Sequence, residues 1–267
     1  MRSPRDHPYF HEPLTTYEAG LRLALFHDGS STRVEERVSR NQMSASMPLF
    51  LTPDLPVFYI INTSGGLVQG DRLSVDIALK NNSRACVTTQ SANKIYRMEK
   101  NCAIQDNVIR LDSGAYLEFV PEPNIPYGGS RFFQSTSIYL KKDSTLFYWD
   151  IIYPGRYARG EEFAYDIYSS SLDIFIDEEP ALADTVMIEP GRSDPRMPGV
   201  LGKGRFAANL YVYAQDYEAY ASEIEASYGV TASGILFMRL VTEDWRSLQR
   251  KLQKLMVSFR KIYGNNK

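Results

Sequence analysis

A mostly β protein is predicted, with stacked β-layers of solenoid or sandwich type and a short α/β part at the C-terminal end. Three observations carry that expectation. From about residue 57 to 190 apolar and polar residues alternate in stretch after stretch, as in Leu73, Val75, Ile77 and Leu79, the period of a half-buried strand. Tyrosine (18) and phenylalanine (13) are plentiful, which favours strands over helices. A loose unit also recurs at about thirty residues, in which a strand ends in leucine, a polar turn follows, and a small residue returns the chain to the sheet. It reads Leu79-Lys80-Asn81-Asn82-Ser83-Arg84-Ala85, then Leu111-Asp112-Ser113-Gly114-Ala115, then Leu140-Lys141-Lys142-Asp143-Ser144-Thr145.

Taken in order, residues 1–20 form a polar, loose N-terminal segment, 21–210 a β-layer domain, and 211–267 a helix-strand-helix part packed on it. Leu21, Leu23 and Leu25 alternate as a strand does. Val57-Phe58-Tyr59-Ile60-Ile61 reads as a buried strand, and Gly65, Gly66 and Gly70 punctuate the turn that leads from it to Asp71. Near the C-terminal end, 216–228 carries a helix pattern between Asp216 as cap and Gly229 as stop. Ile235 to Val241 reads as a strand, and Thr242 is placed to cap a closing helix. That helix has Leu248, Leu252, Leu255 and Phe259 on one face and Arg246, Arg250, Lys251, Lys254, Arg260 and Lys261 on the other. Docking on the chain's own sheet is the commoner use of such a helix, and contact with a partner or a membrane surface is the alternative.

The composition excludes several classes. A formal charge of −2 gives no bulk attraction for nucleic acid. No apolar run has the length of a signal peptide core or a membrane span, so a cytoplasmic protein is expected. Cys86 and Cys102 lie in separate strand-like segments and are expected to be reduced and buried. The three histidines all fall within the first 27 residues, which leaves no Ser-His-Asp or Cys-His set. His7 and His11 have a helical metal spacing, but Pro8 argues against a helix there. Zinc signatures and a phosphate loop are absent, and Gly199 to Gly204 reads as a loop.

Four polar clusters interrupt the β background. The first is Asp71 at its glycine turn, where a carboxylate serves either as a ligand or acid/base, or as an acceptor for the turn amides. The second is Thr88-Thr89-Gln90-Ser91-Ala92-Asn93-Lys94-Ile95-Tyr96-Arg97. The third, Pro121-Glu122-Pro123-Asn124-Ile125-Pro126-Tyr127-Gly128-Gly129-Ser130, has prolines stiff enough to hold Glu122 in one place. The fourth runs from Trp149-Asp150 through Gly155-Arg156 to Arg159-Gly160-Glu161-Glu162. Asp150 breaks an apolar run there and must be paired, protonated or bound to a cation. An ion pair with Arg156, Arg159 or Lys94 is the plain alternative to a functional role, and Glu161-Glu162 reads equally as a solvated turn.

In this order, and over nearly the whole chain from about residue 20, these clusters resemble the motifs of the urease accessory protein UreD (UreH) family. The matching residues are Ser64-Gly65-Gly66-Leu67-Val68-Gln69-Gly70-Asp71, Thr89 to Arg97, Pro121 to Tyr127 with Ser130 and Phe132-Phe133-Gln134, and Trp149 to Glu161. One departure is Gln69, where the family pattern has glycine, so the backbone angle at residue 69 tests that turn. The resemblance implies a stacked-layer β fold and a non-enzymatic nickel-insertion factor. Such a factor binds UreF, joins the GTPase UreG through it, and docks on apo-urease subunits. It also implies transient, weak handling of Ni²⁺ along an internal polar tunnel, with no tightly bound cofactor. By position, Asp71, Glu122, Asp150 and Glu161 become the expected metal-contact groups, with Thr88, Gln90 and Lys94 lining the passage. The residue chemistry agrees, because hydroxyls, amides and carboxylates hold a divalent cation loosely compared with imidazole or thiolate.

Two other readings stay open on the residues alone. A β-rich glycoside hydrolase would use two of Asp71, Glu122, Asp150 and Glu162 as its carboxylate pair, although two tryptophans are few for sugar stacking. A passive β-scaffold for protein contacts is compatible with the family reading.

Overall fold

The computed structural model describes residues 17–52 and 54–264, so most of the expected loose segment 1–20, with His7 and His11, lies outside the described residues. In chain order the first strands are β1 (Tyr17–His27), β2 (Thr32–Arg40), β3 (Met43–Ala45), β4 (Leu49–Thr52), β5 (Leu55–Asn62) and β6 (Asp71–Leu79). Next come β7 (Arg84–Thr89), β8 (Asn93–Ile95), β9 (Ala103–Leu111), β10 (Tyr116–Phe119), β11 (Asn124–Pro126), β12 (Arg131–Leu140) and β13 (Thr145–Ile152). The chain closes with β14 (Ile167–Ile176), β15 (Glu179–Ile188), β16 (Phe206–Tyr213), α1 (Tyr217–Ala221), β17 (Gly229–Val230), β18 (Leu236–Thr242) and α2 (Trp245–Phe259).

These strands build two sheets that the chain visits in turn, which makes the body a β-solenoid. One sheet runs β15-β14-β12-β9-β6-β1-β2, and the other β17-β18-β16-β13-β10-β7-β5-β3. Each coil adds one strand to each sheet, so β6, β9, β12 and β14 are parallel in the first, and β5, β7, β10 and β13 in the second. The repeat seen in the sequence is one such coil. Its leucines stack in register, Leu25 on Leu79, Leu79 on Leu111, Leu111 on Leu140, and Leu140 on Ile176. The turns stack as well: the Asn82 N–H donates to the Ser113 carbonyl, and the Lys141 N–H to that of Leu111.

Antiparallel strands end the solenoid, β15 on β14 in one sheet and β16 then β18 on β13 in the other. Apolar side chains fill the space between the sheets, including Leu23, Ile77, Ile109, Phe132 and Leu146. The second sheet is covered on its outer face too. Leu248, Leu252, Leu255 and Phe259 of α2 pack there against Tyr116, Phe147, Leu210 and Tyr220. That double cover explains why every residue of β16 is buried, as in a strand with helices above and a sheet below.

Two local expectations differ from the structure. The helix expected over 216–228 is confined to Tyr217–Ala221. Ser222 Oγ donates back to the Ala219 carbonyl, while Glu223 and Glu225 reach across to Lys261 and Lys254, so tertiary contacts override local helix preference. The cap of α2 is Asp244, whose side chain accepts from the Ser247 N–H at 2.8 Å; Thr242 instead ends β18 and donates to the Asp244 carbonyl. Among the described residues no helix is long and apolar enough to cross a membrane.

Candidate functional site

Parallel coils place equivalent residues side by side, so a polar residue at one inward position of successive strands produces a polar row inside the body. In the first sheet Gln105 lies beside Gln134, and Gln134 beside Ser170. Asn107 and Thr136 form the next row, joined by an Asn107 Nδ2 to Thr136 Oγ1 hydrogen bond at 3.0 Å. Asp150 of β13 faces this band from the second sheet. A cavity of about 120 Å³ opens onto it, lined by Gln90, Lys94 and Glu122 near the surface and by Asn107, Asn124, Gln134 and Asp150 within.

A chain of amides runs from the rim inward. Asn93 Nδ2 donates to Asn124 Oδ1 at 3.1 Å, and Asn124 Nδ2 to Gln134 Oε1 at 3.2 Å. Gln134 Nε2 then reaches Ser170 Oγ at 3.2 Å and Asp150 Oδ1 at 3.4 Å. The other carboxylate oxygen, Asp150 Oδ2, is buried with no hydrogen-bond partner. Burial pushes the Asp150 carboxyl above its ordinary pKa. The ion pair that was the plain alternative for Asp150 is not formed: Arg156 is taken by Glu161, and Lys94 stays at the exposed rim. Beyond Asp150 a small void of about 10 Å³ touches Ser170, Asn209, Tyr211 and Asp184. The Tyr211 hydroxyl donates to Asp184 Oδ2 at 2.6 Å, and Arg239 pairs with its Oδ1.

Of the residues expected to act together, Gln90, Lys94, Glu122 and Asp150 line one cavity. Asp71, Thr88 and Glu161 are not among the residues that line it. Asp71 is buried at the start of β6, where its carboxylate accepts the Val68 N–H at 2.9 Å, and burial raises its pKa against that bond. Thr88 Oγ1 donates to the Val120 carbonyl, while its neighbour Thr89 lines the cavity. Glu161 binds the Arg156 guanidinium and the Gly128 N–H, and Arg156 holds its pKa below the ordinary value. Glu162 is clamped by Arg196 and Arg205. Among the described residues no three His, Cys, Asp or Glu gather closely enough to hold a metal ion.

The glycine turn shapes the rim. Positive φ angles fall on Gly65, Gly66 and Gly70, and Gln69 is not among the positive-φ residues, so glycine is not needed there. Gln69 Oε1 instead accepts the N–H groups of Glu99 and Lys100. A methyl group at Gly66 would meet the Lys94 carbonyl oxygen and the Tyr96 ring, each at 2.6 Å. Gly66→Ala is therefore expected to destabilise the fold by about 1–3 kcal/mol, read as a lower urea midpoint at unchanged slope. An unchanged midpoint would show that the rim gives way freely.

The residues that sequence reasoning passed over are Asn107, Thr136, Ser170 and Asn209, with Asn124 and Gln134 quoted in motifs but given no role. Their signal was a polar side chain at an inward position of an alternating strand, as Asn107 stands between inward-facing Ala103 and Ile109.

Comparison with known proteins identifies the family. The family model for UreD urease accessory protein matches residues 17–267. A urease accessory protein UreD of Cenarchaeum symbiosum is 36% identical over 212 residues, 78% of this chain and 74% of that protein. One from Staphylococcus epidermidis is 33% identical over 181 residues, 67% of this chain and 64% of that protein. A urease accessory protein UreD 2 of Streptomyces griseus is 36% identical over 193 residues, covering 71% and 65%. With a family match over nearly its full length, the chain belongs to the UreD family of urease accessory proteins, and its part in urease maturation is accessory rather than catalytic.

Proposed function

We propose that this protein carries Ni²⁺ to the active site of apo-urease, in an assembly with UreF and, through UreF, with the GTPase UreG. The polar band between the two sheets is the path. Gln90, Lys94 and Glu122 form its mouth, the Asn93, Asn124 and Gln134 amides its wall, and Asp150 its midpoint. Asp71, Thr88 and Glu161 serve it by bracing the turns around the mouth.

The observation that carries this reading is the buried, unpartnered oxygen of Asp150 at the end of the amide chain. Such an oxygen is costly in an apolar body and is relieved by a cation or a proton. The surrounding donors are oxygens and amides, a set that holds Ni²⁺ weakly and lets it exchange. Each replaces part of the water that the ion sheds, which lowers the barrier to movement.

Activation of apo-urease by this chain with UreF, UreG, GTP and Ni²⁺ tests the assignment. Asp150→Ala is expected to cut the nickel incorporated into urease by about tenfold, the effect of losing one charged contact to the ion. Co-purification with UreF should stay intact. Full incorporation by Asp150→Ala, and by its combination with Gln134→Leu, would remove the path from consideration.

A further inference from the structure

Beside the mouth lies a second polar site, which shares only Glu161 with the residues assigned to the path. Tyr96 and Arg97 follow β8, Gly128 and Gly129 precede β12, and Arg156 and Glu161 flank the short 3-10 turn Tyr157–Arg159. All six line one open cleft. Three separate stretches of the chain meet there.

Its charges are matched except for one. Glu161 accepts Arg156 and the Gly128 N–H. The Arg156 guanidinium lies over the Tyr127 ring, 4.6 Å from its centroid, and Tyr127 meets Tyr96 edge-on at 5.1 Å. Arg97 is exposed and, among the described residues, has no ion pair and no hydrogen bond. Its stem lies along Gly129, where a Cβ would stand 3.2 Å from Arg97 Cγ. An exposed guanidinium with its fork free and tyrosine rings in the same cleft can take bidentate contact with a carboxylate.

We propose that this cleft receives a glutamate or aspartate side chain from an acidic segment of a protein partner. Arg97 grips the carboxylate, and the Tyr96 and Tyr127 rings take the apolar flanks of the segment. An open cleft with one unmatched cation holds a small free anion poorly, whereas a peptide adds backbone and ring contacts to the same ion pair. With a net charge of −2 the whole molecule offers no general attraction for an acidic partner, so recognition must be local. The location gives the contact a use. Tyr96 OH donates to the Gly65 carbonyl at 3.3 Å, and Gly65 and Lys94 line the cavity. A partner seated here stands next to the mouth.

Fluorescence anisotropy of the full chain with a labelled peptide of alternating glutamate and glycine tests this. Arg97→Ala should weaken binding about tenfold, with Arg97→Lys intermediate, because a lysine keeps the charge without the fork. A glutamine version of the peptide should not bind, and inorganic phosphate at the peptide's concentration should not displace it. Lys251→Ala, on a helix that does not line the cleft, should have no effect. Equal binding by Arg97→Ala, or by the glutamine peptide, overturns the proposal, and displacement by phosphate would assign the cleft to free anions instead. Asp150→Ala is expected to bind the peptide as the native chain does, so this result stands apart from the nickel reading.

Discussion

Arg260→Ala is expected to lower the stability of the protein by about 3–5 kcal/mol, the cost of leaving a buried charge without its partner. Glu118 is fully buried on the outer face of β10, beneath the end of α2. Its carboxylate accepts Arg260 Nε at 2.8 and 3.0 Å and the Tyr116 hydroxyl at 2.6 Å. The ion pair in turn raises the pKa of Arg260, so the cation is held charged. Arg84 ties down the same end of the chain, donating to the carbonyls of Tyr263 and Gly264 at 2.9 and 3.0 Å. Without Arg260 the carboxylate keeps one hydroxyl donor in an apolar layer, and α2 should lift from the sheet. Urea unfolding gives the energy, and hydrogen exchange along residues 245–259 should show the helix opening first. Replacing both partners by apolar residues, Glu118→Leu with Arg260→Met, should recover most of the loss. A loss below about 1 kcal/mol for Arg260→Ala would mean that apolar packing alone seats the helix.

Asp150→Asn should move stability the other way. The folded-state pKa of Asp150 lies above its unfolded value because burial penalises the charged form. The folded chain therefore binds a proton more readily than the unfolded one. Whatever Asp150 contributes is fully present below the unfolded pKa and is lost as pH rises through the folded one. At neutral pH the native carboxylate is a net cost, and an amide of the same shape avoids it. Asp150→Asn is expected to be more stable than the native chain by about 1–3 kcal/mol at pH 7, with the gain shrinking as pH falls towards 4. The same variant should deliver less nickel, so stability and function are expected to part company at this residue. A flat pH dependence of the stability difference would show that the carboxylate is not burdened by burial.

Much of the fold was legible in the sequence because a solenoid repeats its needs. Leu79, Leu111 and Leu140 occupy one place in three coils, and that sameness survives as a visible pattern. The site was legible in part. Glu122 and Asp150 stood out because carboxylates beside prolines or inside apolar runs are conspicuous. Thr88 shows why the rest was not. Adjacent residues of a strand point to opposite faces, so Thr89 looks into the cavity and Thr88 away from it. A one-residue difference in facing cannot be read from a motif that contains both. Asn107 was missed, and Gln134 was given no role, for another reason. Uncharged amides are unremarkable in a strand until the pairing of coils places them in line. The end of the helix expected at 228 was hidden too, since Glu223 and Glu225 choose partners 38 and 29 residues away, in the turn that follows α2 and in α2 itself.

The in-register stacking of coils also sets a length scale. Neighbouring strands lie about 4.8 Å apart, so the inward groups of Gln105, Gln134 and Ser170 recur at that stride across the sheet. Side chains on adjacent rungs close that gap to hydrogen-bond distance, 3.2 Å between Gln134 Nε2 and Ser170 Oγ, so the polar groups form one continuous line. A coil inserted into or deleted from this scaffold would lengthen or shorten the interior line by one stride and leave its chemistry at every other rung as it was.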